Sequence, residues 1–128
     1  MRLLLDTHTL IWAVDDTSKL SAAADAALRD PANELLLSAA SVWEIAIKIG
    51  LGKLVLTLPY RQWMNQVITD LGLTLLPITV EYADVQAGLP THHRDPFDRL
   101  IIAQALTDGL SIVSTDAAFD DYGVTRLW

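Results

Sequence analysis

The chain has no cysteine among its 128 residues, which excludes a disulfide framework and any thiolate metal site. No apolar stretch approaches the roughly 20 residues that span a bilayer. Asp6 also interrupts the N-terminal apolar run before it could serve as the core of a secretory leader. A cytoplasmic protein with no membrane partner is therefore expected. Cations are scarce: 9 Lys and Arg against 16 Asp and Glu leave a formal net charge of −7. That argues against a broad basic surface gripping a nucleic-acid backbone, but not against a local patch completed by bound cations. Repeats, low-complexity tracts and linkers are missing as well. The length suits one domain over 1–128 with a substantial core.

What remains is an alternation of strands and helices. Short apolar runs at 2–5, 34–37, 74–78 and 111–114 read as buried strands, with a short fifth at 124–127. Helices are predicted over 7–14, 18–29, 41–49, 60–71, 79–87 and 96–107. Ser21 is the expected cap of the second, and Gly72 ends the fourth. Asp95, Pro96 and Gly109 punctuate the last. The segment 53–56 fits either a loop or a strand, and 88–94 reads as an extended loop. The predicted fold class is α/β: a three-layer α/β/α sandwich around a mostly parallel sheet of four to five strands.

Four acids stand at the ends of these elements. Asp6 closes the first strand and Glu44 sits on the third helix, while Asp98 lies in the first turn of the last helix and Asp116 just past the fourth strand. In open α/β folds, ligands bind beyond the carboxyl ends of the strands. Carboxylates gathered there repel one another unless a cation or shared protons offset the charge. A hard divalent metal is the simplest resident, and it points to phosphate chemistry.

Each acid also has a local reading. Asp6 can cap the helix that follows it, and Ser41-x-x-Glu44 matches a capping box. Asp95 suits an N-cap, Asp98 suits the helix dipole, and Asp116 suits a turn. Against the local reading of Glu44, Trp43, Ile45 and Ile47 give it apolar surroundings, where an unpaired carboxylate is costly. Asp15, Asp16, Asp120 and Asp121 fall in expected surface turns and read as solvated. His8, His92 and His93 show no zinc spacing; they read as solvated or capping, with His92 and His93 placed to touch a substrate. Trp12, Trp43, Trp63 and Trp128 read as core or interface anchors, two of them beside site acids.

The segments LLLDTHTLIW, SAASVWEIAIK, HHRDPFDRLIIAQAL and IVSTDAAF, in this order, resemble the PIN-domain ribonucleases. More closely, the whole chain resembles the VapC-type toxins of type II toxin–antitoxin modules. The resemblance assigns the family's four acids to Asp6, Glu44, Asp98 and Asp116, as metal ligands and catalytic groups, with Asp95 an additional candidate. It implies an endoribonuclease that uses Mg²⁺ or Mn²⁺ and leaves a 5′-phosphate and a 3′-hydroxyl. It also implies an antitoxin protein as partner and a homodimer. Thr7 and Ser114 are then expected to hydrogen-bond the carboxylates, and Arg94, Arg99 and Lys48 are candidate phosphate contacts. For Lys48 an i,i+4 pair with Glu44 is the competing assignment.

Three rival readings lack the residues or the losses they require. A receiver-like phosphoacceptor module needs an acidic pair at strand one, an acceptor Asp after a middle strand and a late Lys, none of which is present. A haloacid-dehalogenase-type phosphatase needs a second Asp where His8 stands. A non-catalytic PIN-like binding module would usually have lost one of the four acids, and all four positions are filled.

Overall fold

The computed structural model describes residues Met1–Trp128. Five strands, β1 (Arg2–Leu5), β2 (Glu34–Ser38), β3 (Thr74–Leu76), β4 (Ser111–Val113) and β5 (Arg126–Leu127), form one sheet in the order β3-β2-β1-β4-β5. Every pairing is parallel. The sheet is therefore wholly parallel, with the five strands at the top of the expected range.

Strand alternation sends successive leucines to opposite faces, which is why the strands read as unbroken apolar runs. Leu3, Leu5, Leu35, Leu37 and Val113 enter one core, with Leu10, Ala24, Ile45, Trp63 and Val67 from the helices α1 (Thr7–Asp15), α2 (Ala22–Arg29), α3 (Ala39–Gly50) and α4 (Tyr60–Leu71) on that side. Leu4, Leu36 and Ile112 enter the other, under Ile101, Ile102 and Ala105 of α6 (Pro96–Asp108). Helix α5 (Val80–Ala87) lies against α6, with Tyr82 packed on Leu100 and on Ala40 of α3. Here α3 reaches α6, so helices from opposite faces meet.

The helix ends follow side-chain chemistry. Ser21 accepts from the Ala24 N–H, and Gly72 and Gly109 close α4 and α6 with positive φ of 62° and 65°. One cap differs from expectation. Helix α3 starts two residues before Ser41, and Ser38 is its N-cap, accepting from the Ala40 N–H at 3.1 Å. The strand runs straight into the helix, so Ser41 and Glu44 lie within it and the capping-box reading fails. The segment 53–56 is a loop rather than a strand. Asp15, expected to be solvated, accepts from Thr57 N, Thr57 Oγ1 and Trp63 Nε1, at 3.2, 2.8 and 3.0 Å, and ties α1 to α4.

Successive strands β1, β2 and β3 move outward in one direction, and the chain then returns to place β4 on the other side of β1. The crevice between the carboxyl ends of β1 and β4 is the topological switch point, where such sheets bind ligands.

Candidate metal centre

At that switch point lies a cavity of about 260 Å³ lined by Asp6, Glu44, Asp95, Asp98 and Asp116, with Lys48 as its one ammonium. His8, Trp12 and Thr115 complete the wall. All four acids assigned from the sequence, and the additional candidate Asp95, meet there.

Asp6 is buried at the end of β1. Its Oδ1 accepts the Thr7 N–H at 2.8 Å, and its Oδ2 accepts the Ser114 hydroxyl at 2.7 Å. Ser114 Oγ in turn accepts the Asp116 N–H at 3.0 Å, so one hydroxyl joins the ends of β1 and β4. Glu44 is buried on α3, 3% exposed, and its two oxygens face different partners. Thr7 Oγ1 donates to Oε1 at 2.7 Å, and Lys48 Nζ donates to Oε2 at 2.6 Å. The i,i+4 pair on α3 thus holds the Lys48 ammonium on a carboxylate. A buried Glu would be strongly unfavourable without these donors.

The remaining acids are less enclosed. Asp95 Oδ1 caps α6 through the Phe97 and Asp98 N–H groups at 2.9 and 3.4 Å. Asp116 Oδ1 caps a 3₁₀ turn through the Ala118 N–H at 2.9 Å. Capping and facing the cavity are compatible, because an ionised carboxylate offers about four lone-pair sites and a cap uses one. The local and functional readings of Asp6, Asp95 and Asp116 were therefore never exclusive.

Burial drives the Asp98 carboxyl up to about 8, and repulsion from Asp6, Asp95, Glu44 and Asp116 pushes the same way. Burial also raises Asp6, against the opposing hydrogen bonds from Ser114 and Thr7. For Lys48, burial favours the neutral amine but is outweighed by the hydrogen bond and attraction of Glu44, with further attraction from Asp95 and Asp98. The cavity thus concentrates more negative charge than its own ammonium offsets. Hard oxygen donors, no thiolate and surplus negative charge fit a divalent cation of the Mg²⁺ or Mn²⁺ kind.

Two residues stand elsewhere than expected. Arg99, a candidate phosphate contact, instead caps loop carbonyls: Nη1 donates to Pro90 O and His93 O, and Nη2 to Gln86 O and Leu89 O, at 2.8 to 3.4 Å. Those bonds occupy both ends of its guanidinium. Arg94 is exposed beside that loop and does not line the acidic cavity. The residue that sequence reasoning underrated is His93, whose Nε2 lies 3.1 Å from Asp98 Oδ2 and 3.6 Å from Asp116 Oδ2. The sequence marks it as a substrate contact, from its place just before Asp95 and Asp98. Of the tryptophans, Trp63 is a core anchor, but Trp43, next to Glu44 in the chain, is 60% exposed and meets Phe97 edge-on. Trp12 packs edge-on against Trp128.

A wholly parallel three-layer sheet with an acid-lined cavity at its switch point defines an open α/β protein of the PIN-like type. The chain belongs to the PIN domain family, which matches residues 3–124. It is 32% identical over 114 residues to Ribonuclease VapC22 of Mycobacterium tuberculosis (strain ATCC 25618 / H37Rv), covering 88% of this chain and 85% of that protein. Its fold is similar to that of VapBC2 from Rickettsia felis bound to a DNA fragment from their promoter, with a TM-score of 0.64, 16% identity and coverage of 98% and 97%. FitAcB from Neisseria gonorrhoeae is similar at the same TM-score, with 20% identity and coverage of 97% and 95%. No helix is long and apolar enough to cross a membrane.

Proposed function

We propose that this chain is a divalent-metal-dependent endoribonuclease and the toxin of a cytoplasmic toxin–antitoxin pair. The observation that carries the reading is five carboxylates facing one ammonium around a cavity at the switch point. Kinship with a protein named a ribonuclease supports RNA as the substrate. Asp6, Glu44, Asp98 and Asp116 would hold Mg²⁺ or Mn²⁺, with Asp95 beside them. When bound, such an ion supplies Lewis acidity for an attacking water and offsets the charge that develops on the phosphate.

The rest is work for the chain's own side chains. Thr7 and Ser114 orient Asp6 and Glu44 through their hydroxyls, and Lys48 fixes the second oxygen of Glu44. The exposed Trp43, edge-on to Phe97, would offer a stacking face to a base of the RNA. Of the basic candidates, Arg94 remains free to meet a phosphate at the edge of the site.

An antitoxin partner is supported by the paired names of the similar structures, including one of the VapBC family of toxin–antitoxin systems. An apolar groove along Leu54, Val55, Leu56 and Leu58 would receive an amphipathic segment, and the net charge of −7 favours a basic one. Homodimerisation is proposed through exposed Leu75, Ile78 and Val80 at the edge of the sheet. The decisive test is incubation of purified protein with RNA, with Mg²⁺, with Mn²⁺ or with chelator. Cleavage abolished by chelator, restored by either ion and lost in Asp98→Asn is the expected result. Cleavage that ignores chelator would overturn the metal assignment.

A further inference from the structure

His93, Asp98 and Asp116 each offer a ligand atom within 4.8 Å of the other two, close enough to read as three ligands of one ion. The hydrogen bonding of the ring argues otherwise. His93 Nδ1 accepts the backbone N–H of Asp95 at 3.3 Å, so Nδ1 carries a lone pair and no proton. A neutral imidazole has one N–H, which places the proton on Nε2, the atom that faces the two carboxylates. A protonated nitrogen has no lone pair for a metal. At 3.6 Å, Asp116 is beyond hydrogen-bond range and feels the N–H as a dipole only, whereas Asp98 at 3.1 Å is in direct contact.

The loop that presents the ring is held from three directions. The His93 N–H donates to the Tyr122 hydroxyl at 2.7 Å, and that hydroxyl donates to Pro90 O at 3.0 Å. Arg99 binds four carbonyls of the same stretch, including those of Pro90 and His93. The imidazole also lies against Phe119, with ring centroids 6.3 Å apart. Four bonded carbonyls, one hydroxyl and an aromatic wall hold this loop in one place. They fix one nitrogen against Asp98.

We propose that His93 is a positioning residue of the metal centre and not a ligand: its Nε2–H edge steers Asp98 Oδ2, leaving the other oxygen to face the cavity. The consequence for metal rests on the metal-dependent reading above; the tautomer does not. A donor that hydrogen-bonds a metal-ligating carboxylate, when lost, costs about 10–100-fold in metal affinity.

The test uses full-length protein with ¹⁵N-labelled histidine, and Mn²⁺ alone as the metal probe. Without metal, the His93 ring should show a protonated Nε2 and an unprotonated Nδ1, and saturating Mg²⁺ should leave that pattern unchanged. Mn²⁺ affinity, read by electron paramagnetic resonance without RNA, should fall about 10–100-fold in His93→Ala. It should stay within about threefold of the parent in His93→Gln, whose side-chain amide can place an N–H near Asp98. Loss of the Nε2 proton on adding Mg²⁺, or equal losses in the Gln and Ala variants, would overturn the proposal. If His93→Ala does not fold, Tyr122→Phe, which removes the donor to Pro90, should weaken Mn²⁺ binding several-fold while the ring keeps its tautomer; unchanged affinity would count against the proposal. Parent protein that binds no Mn²⁺ but shows the expected tautomer would sink the metal reading instead, and the two failures are distinguishable.

Discussion

The two halves of the acidic cavity are built differently. On the β1–α3 side, Asp6 and Glu44 are buried, and every carboxylate oxygen has a donor from Thr7, Ser114 or Lys48. On the α6–β4 side, Asp95 and Asp116 use one oxygen each as caps, and Asp98 touches only His93. The first half is neutralised in part by its own ammonium and is a finished piece of structure. In the second, burial first and repulsion from the surrounding carboxylates of both halves next raise the Asp98 carboxyl to about 8. The contrast teaches that donors on one side hold both carboxylates in fixed places, while the other side is held at a cost that the proposed cation would offset.

The largest expected break in that contrast is catalytic. Asp98→Asn should lower kcat/KM for RNA cleavage at saturating Mg²⁺ by at least about 10³-fold, or about 4 kcal/mol. A loss of less than tenfold would remove Asp98 from the centre. The next effect lies in stability. Asp98 holds its proton more tightly in the folded state than in the unfolded chain, so metal-free protein should lose stability as pH rises from about 4 to about 8, and level off above. Salt and water reach the site, which reduces the loss to on the order of 3 kcal/mol. Urea unfolding at pH 5 and 8 should show the slope, and Asp98→Asn should flatten it by stabilising the protein at pH 8.

Glu44→Ala should do the opposite. Removing the carboxylate strands the half-buried Lys48 ammonium and the Thr7 hydroxyl, destabilising the protein by about 2 kcal/mol in the same measurement. A stabilised Glu44→Ala would erase the difference between the halves. The smallest effect belongs to Ser114→Ala, which removes one donor from Asp6 and one acceptor from the Asp116 N–H. A loss of about 1 kcal/mol, with Mn²⁺ affinity lowered a few-fold, is expected by urea unfolding and titration. No change in either would mean that β1 and β4 are joined well enough without it.

Much of the fold was legible because its signals are local. Buried leucine runs, Ser21, the Asp95-Pro96 start and the closing glycines each act within a few residues, and the elements fall where they point. The failure at Ser41 has a local cause too: Ser38 and Ser41 are both acceptable caps, and the continuous strand-to-helix turn chose the earlier. Two of the acids were legible for a topological reason. Residues past parallel strands share an edge, which covers Asp6 and Asp116; Glu44 and Asp98, carried on helices α3 and α6, were assigned with them by the family resemblance. Asp15 and Arg99 were misjudged because their partners are the loop around Thr57 and the carbonyls of residues 86–93, segments without periodicity to read.

From its residues alone, this chain's layering and the edge that receives Asp6 and Asp116 were already determined, since both follow from hydrophobic period and the alternation of strands with helices. What only tertiary structure decided is which oxygen meets which donor. Thr7 bridging to Glu44, Ser114 bridging to Asp6 and His93 turned onto Asp98 join segments 37, 108 and 5 residues apart. Hydrogen bonds are directional at the scale of tenths of an ångström, and hydrophobic patterning sets positions only to the scale of a helix turn. The charge balance of the centre lives in that finer scale.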